Sequence, residues 1–290
     1  MPAATHERFI TSVILEIARQ LQIIGSLDSL ASDFARQIVA CGSTTIYLHD
    51  GYGRHDPDFS FGHKEAQYPG VVFEVSYSQK RRDLGRLADD YILGSDGNIR
   101  VVVGLDLEYR GKKGKEASGE GATLSIWRPK VTSDGALGEL TAHQDVVDLV
   151  RCYQANTSFL LISKEFRDEY GIAHSSYSAG ISLRLDDFAT TALHPSPMSE
   201  PIFIPTKTLT EYLFDAEKAE VMLKGNTGAR QVLGDLVRRR KRLSTPVEEL
   251  DKMTEKWFKE EEERANRRAW RADKGWRPAR KRRQSTPPEG

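Results

Sequence analysis

The chain has little with which to close itself covalently. Its two cysteines, Cys41 and Cys152, stand far apart among 290 residues and form no C-x-x-C spacing. That excludes a disulfide scaffold, argues against a structural zinc site, and fits a reduced, intracellular compartment. Long apolar runs are missing too. The longest are strand-length, such as Val101-Val102-Val103, far short of the ~20 residues of a membrane helix, so no membrane contact is expected. Residues 1–25 lack the basic start, apolar stretch and small-residue cleavage site of a secretory leader. Net charge is also absent, 42 Lys/Arg standing against 42 Asp/Glu, but the balance is uneven along the chain. Residues 236–290 carry 18 basic and 10 acidic side chains, a surplus of +8, which leaves the remainder at −8. A basic tail on an acidic body suits contact with nucleic acid or nuclear import.

What is present is enough apolar material, 39% of residues, for a buried domain with solvated extensions. Residues 5–24 place Ile10, Val13, Ile14, Ile17 and Leu21 on one helical face. A second helix is expected over 28–40. Short strands follow at 44–49, 57–61 and 71–78, punctuated by Asp50-Gly51-Tyr52-Gly53 and Pro69-Gly70. A helix over about 80–93, with Ser78 as its cap and Gly94 as its close, carries Leu84, Leu87, Ala88, Tyr91 and Ile92 as its stripe. The three valines of 99–107 predict a central strand buried on both faces. A Lys/Gly/Glu-rich loop (110–121) leads to its hairpin partner at 122–128. From 140 the pattern weakens: a helix near 163–170, a strand at 181–188, and a proline-broken connection from His194 to Pro205. Domain boundaries are set at 1–215 for the folded domain and 216–290 for a charged helical tail. In that tail 246–271 form a long helix, with Glu260–Arg264 and Glu263–Arg267 at the i, i+4 spacing, and the last 15 residues or so are disordered.

The acids carry the chemistry. Alternation along VVFEVSYS puts Val72, Glu74, Ser76 and Ser78 on one face and Val71, Phe73, Val75 and Tyr77 on the other. Glu74 therefore sits mid-strand between apolar neighbours, where a carboxylate is costly unless something compensates it. Asp58 lies 16 residues earlier, after Pro57, at the start of the preceding strand. If those strands are neighbours, the two carboxylates share one cleft and suit Mg²⁺, or Mn²⁺, a hard ion that can polarise a phosphodiester and acidify an attacking water.

This pattern resembles the PD-(D/E)xK nuclease superfamily, with Pro57-Asp58 as the PD and Glu74-Val75-Ser76 at the (D/E)-x-K position. The segment EVSYSQKRRDLGRLADDY is similar to the Uma-type branch, through Glu74, Ser76-Tyr77-Ser78, Lys80-Arg81-Arg82, Asp83-Leu84-Gly85 and Tyr91. The resemblance covers roughly residues 40–107. It implies an α/β, restriction-endonuclease-like αβββαβ core with a mixed central sheet, plus a charged helical C-terminal extension, a nucleic-acid partner and Mg²⁺-dependent phosphodiester hydrolysis. Asp58 and Glu74 would hold the metal and act in catalysis. The superfamily lysine falls on Ser76 and the helical lysine of the Uma-like branch on Leu87, so a retained cation has moved. Lys80 is the first catalytic candidate, followed by Arg81 and Arg86, and Ser76, Gln79, Arg81 and Arg86 are placed as substrate contacts. The missing lysine also motivates an alternative: a catalytically inactive nuclease-fold module that binds nucleic acid or protein.

Plainer readings stand beside these. Asp58 also reads as a turn aspartate, Glu74 as a half-exposed strand residue, and Lys80-Arg81-Arg82 as a solvated helix start. Cations there oppose the helix dipole, which favours a nearby phosphate or acid. His55 and His63 flank Asp58 and could assist. Glu16 lies off the first helix's apolar stripe, where related cores sometimes place an acid. The basic clusters Arg238–Arg242 and Arg280–Arg283, with Trp257, Trp270 and Trp276 interleaved, read as phosphate contacts and stacking groups or as solvation and packing.

Overall fold

Helix α1 (Ala4–Gly25) begins the chain and buries Phe9, Ile10, Val13, Ile14, Ile17 and Leu21, as the 3.6-residue period requires. The structure is a computed structural model describing residues 4–77, 83–107, 121–134, 137–145, 148–152, 157–161, 163–168, 170–174, 176–194, 197–225, 227–229, 256–264 and 267. Residues Met1–Ala229 make one compact unit and Arg230–Gly290 another.

After α1 the expected long second helix is short. Helix α2 (Leu30–Ala35) is capped by Ser29, whose side chain accepts from the Ser32 N–H, and it ends before the chain turns into β1 (Ile38–Ala40). Two β-branched residues, Ile38 and Val39, pair there with a later strand, opposite His63 and Gly62, and that pairing overrides helix period. The expected strand at 44–49 reduces to β2 (Ile46–Tyr47), which forms a small hairpin with β3 (Arg54–His55). Next come β4 (Phe59–His63), two residues later than expected, and β5 (Val71–Tyr77). Helix α3 (Asp83–Leu93) crosses over to β6 (Val101–Leu107), which is buried throughout. Strand β7 (Ala122–Asp134) then runs back beside β6 and on into β8 (Leu137–Gln144).

One sheet of seven strands organises the unit, in the order β1-β4-β5-β6-β7 followed by β11 (Ser163–Arg167), with β8 also paired to β7. Pairing is antiparallel except between β5 and β6, which are parallel. The sheet is therefore mixed and the unit α/β. Residues 163–167 were expected as helix; they form an edge strand because Phe166, fully buried, fits a half-covered sheet edge. Strands β9 (Asp148–Cys152) and β10 (Thr157–Leu161) pair with each other. The expected strand 181–188 is β12 (Gly180–Arg184), followed by a 3₁₀ turn at Leu185–Phe188. Its partner is β13 (Pro201–Pro205), inside the stretch read as a broken connection. Prolines stand at both ends of β13, where missing donors are tolerated. Helix α4 (Thr206–Lys224) packs on α1 and continues past residue 215, the expected domain boundary.

Two apolar layers result. Val71, Phe73 and Val75 of β5 face a core with α1, α2, α4 and the β12–β13 pair, whereas Val72 packs with Leu84, Ala88, Tyr91 and Ile92 of α3. The period-two reading of β5 holds. Gly104 of β6 lets Trp127 lie over the sheet on the α3 side: a Cβ there would meet the Trp127 ring at 2.7 Å. Among the described residues no helix is long and apolar enough to cross a membrane.

In the second unit, residues 256–264 are helical. The i, i+4 pairing of Glu263 with Arg267 is present at 3.6 Å, but Arg264 turns to Glu261 at 3.0 Å rather than to Glu260. Trp257 and Phe258 are exposed and touch edge to face. The loop 110–120, Ser78, the clusters Arg238–Arg242 and Arg280–Arg283, Trp270, Trp276 and the last 15 residues lie outside the described residues.

Candidate active site

Asp58 closes the turn before β4, and its position is set by the strand beside it. Asp58 Oδ2 accepts the Val75 backbone N–H at 2.6 Å, tying the carboxylate across to β5. Asp58 Oδ1 lies 3.3 Å from Nε2 of His6, a buried residue in the first turn of α1. The hydrogen bond to Asp58 holds the His6 imidazole above its ordinary value, against the lowering effect of burial.

Glu74 occupies the middle of β5 on the α3 side. Tyr91, in the last turn of α3, donates its hydroxyl to Glu74 Oε1 at 2.6 Å. Burial raises the Glu74 carboxyl to about 7; the Tyr91 hydrogen bond and the charge of His6 oppose this, and the negative charge of Asp58 adds to it. The two acids are thus electrostatic neighbours, as the strand order required. Burial, with Glu74 beside it, drives the Tyr91 hydroxyl far above the usual phenol range, so it serves as a fixed donor.

Glu74 opens onto a cavity of about 420 Å³ whose walls include His55, Ser76, Arg86, Leu87 and Asp90. His55 Nε2 lies 3.3 Å from Asp90 Oδ2, and the His55 ring meets the Tyr91 ring edge to face. Arg86 is exposed and has no ion-pair partner among the described residues. It is the one cation among the described residues of this wall. Asp106, the register partner of Ser76, is buried on the adjoining strand.

Sequence reasoning therefore brought Asp58, Glu74, Ser76 and Arg86 to one neighbourhood, with His55 beside them. Gln79, Lys80 and Arg81 lie outside the described residues. His63 is elsewhere, stacked on Phe34 at 5.0 Å. Glu16 is bound by Arg19 and Gln20, away from the acids. Three residues were missed as site residues: His6, Asp90 and Tyr91, the last named only within the family resemblance. The signal for His6 was its place on the apolar stripe of α1, three and four residues before Phe9 and Ile10. A histidine on a stripe that is otherwise apolar needs a buried partner. Tyr91 gave the same signal on α3.

Two carboxylates with open positions are the donor chemistry of a hard divalent ion. A cation beside Glu74 would also offset the burial and the like charge that raise this carboxyl, so the residues fit such an ion. Among the described residues no three His, Cys, Asp or Glu side chains gather into a larger cluster. The chain matches no family model, no curated protein and no solved structure.

Proposed function

We propose that this chain is a metal-dependent phosphodiesterase that hydrolyses nucleic acid, built on a restriction-endonuclease-like core of the PD-(D/E)xK type. The observation that carries the reading is the acid pair: Glu74 opens onto a cavity from β5, and Asp58, at the turn before β4 and tied to β5 through the Val75 N–H, adds its negative charge to the burial that raises the Glu74 carboxyl. The element order supports it. Helix α1, three antiparallel strands (β1, β4, β5), a crossover helix and a parallel fourth strand follow the αβββαβ order that the resemblance implies, with α2 and β2–β3 as insertions.

Asp58 and Glu74 would hold Mg²⁺ or Mn²⁺, which when bound polarises the phosphodiester and acidifies a water. The chain's own groups prepare that site. His6 and the Val75 N–H fix the two oxygens of Asp58. Tyr91 fixes Glu74 Oε1, leaving Oε2 without a hydrogen bond among the described residues. Arg86 on the cavity wall supplies positive charge to a phosphate in place of the lysine absent at Ser76, alongside the candidates Lys80 and Arg81.

One observation favours a second reading. Ser76 and Leu87, where the resemblance places lysines, both line the cavity, as in a nuclease fold retained for binding alone. The test is cleavage of end-labelled single- and double-stranded DNA and RNA by the full-length protein with Mg²⁺ or Mn²⁺. Cleavage is expected, falling to background in both Glu74→Ala and Asp58→Ala. Binding without cleavage on every substrate selects the second reading.

A further inference from the structure

A second cavity, of about 350 Å³, lies on the same face of the sheet. Its floor includes Ser60 of β4, the direct cross-strand partner of Val72. Directly paired residues share a face, so Ser60 lies on the α3 side with Val72 and Glu74. Ser60 and Glu74 are diagonal neighbours across the β4–β5 pair, ~7–8 Å apart by that relation. The wall between the cavities is the β2–β3 hairpin. Ile46 lines the second cavity, and its cross-strand partner His55 lines the first.

The two linings differ in kind. The first holds Glu74, Asp90 and Arg86. Among its described lining residues the second has no Asp, Glu, Lys or Arg. It offers the rings of Tyr47 and Tyr68 and the amide of Gln67, while the Thr45 hydroxyl is already donated to Asp56. Tyr47 is 69% exposed, an open aromatic face, and neither Tyr47 nor Gln67 has a hydrogen-bond partner among the described residues. An uncharged cavity with a free amide and an open ring suits a planar, neutral group with both donors and acceptors on its edge. Its volume falls at the small end of the ~300–1,000 Å³ range of ligand pockets, room for one such group and its sugar but not for a base-paired helix.

Resting on the phosphodiesterase reading, we propose that this cavity receives one unpaired nucleobase of the substrate strand while the neighbouring phosphate lies at Glu74. Tyr47 stacks on the base and Gln67 contacts its edge. The preferred substrate is then single-stranded or locally unpaired nucleic acid, because a base inside a duplex is stacked and paired and reaches such a pocket only by being extruded.

The test measures binding without divalent metal, so it is independent of cleavage. Fluorescence anisotropy with labelled homopolymeric DNA and RNA 12-mers, and with the matching duplexes, is expected to show tighter binding of single strands. Tyr47→Ala should weaken single-strand binding by roughly tenfold, within the range for loss of one base–aromatic stack, and Gln67→Ala should change the ranking among bases. Neither should alter duplex binding, and both residues are exposed, so the variants fold. A strand carrying one 5-iodouracil, irradiated in the complex, should crosslink to Tyr47 or Tyr68. Equal affinity for duplex and single strand, unchanged binding in Tyr47→Ala, or crosslinks confined to the basic tail would overturn the proposal. Single-strand binding lost in Tyr47→Ala, with no cleavage under any metal, would defeat the phosphodiesterase reading and leave the pocket standing.

Discussion

At the scale of single residues, Glu74 has the largest consequence. Its folded carboxyl sits at about 7 against an ordinary 4.5. The folded chain therefore keeps a proton that the unfolded chain releases. Stability from this group is full below 4.5, declines as pH rises from 4.5 to about 7, and is gone above it. The difference is on the order of 3 kcal/mol at ~1.4 kcal/mol per unit. Glu74→Gln should lose that decline, so urea denaturation of metal-free protein at a series of pH values should find the variant gaining on the wild type across this window. Parallel curves for the two proteins would show that the carboxyl is not held in its neutral form. The same reasoning explains what a cation at this site offsets: it restores the ionised carboxylate in a place where burial and Asp58 both oppose it.

At the scale of elements, the helix α3 and the β2–β3 hairpin meet at a glycine as well as through His55. Gly94 donates to the Asp90 carbonyl and accepts from the His49 N–H. A Cβ on it would stand 2.7 Å from both the Asp90 carbonyl oxygen and Tyr52 Cβ, and 2.9 Å from Leu48 Cβ. Gly94→Ala should cost roughly 1–3 kcal/mol, as overpacking does, read as a drop in Tm; an unchanged Tm would mean that hairpin and helix can part without penalty. Legibility in the sequence followed element length. Helix α1 and β5 are long enough for their periods to be unambiguous, β6 is marked by its apolar run of three valines, and the strand order around Glu74 came with them. Residues 38–40 and 163–167 were misread because short apolar stretches carry no period of their own and take their state from the strands they pair with. The site was half legible for the same reason. Glu74 stands out as an acid in an apolar strand and Asp58 as one at the start of the adjoining strand, whereas His6 and Tyr91 lie on helical stripes, where the partners of their polar ends are set only once the helices are docked.

At the scale of the whole molecule, zero net charge conceals a division of labour. Without residues 236–290 the chain carries a net charge of −8, which repels a polyphosphate at long range. Deleting 236–290 should therefore weaken nucleic-acid binding and flatten its salt dependence, each lost phosphate contact removing ~0.9 from the slope of log K against log salt on duplex and ~0.7 on single strands. An unchanged slope would assign all phosphate contacts to residues 1–235. On the proposed function, steering by the tail and recognition at the sheet would be separable, since the second cavity is lined by uncharged groups and the first by acids and Arg86.

The spacing of the site's own bonds bears on the order in which the chain acquires it. Val75 N–H to Asp58 and Tyr91 to Glu74 each span 17 residues, whereas Thr5 to Glu220, which fastens α1 to α4, spans 215. Closing a short loop sacrifices less chain entropy than closing a long one, and local contacts form soonest. The acid pair and its tyrosine thus close through short loops, whereas the bond that fastens α1 to α4 closes through a long one.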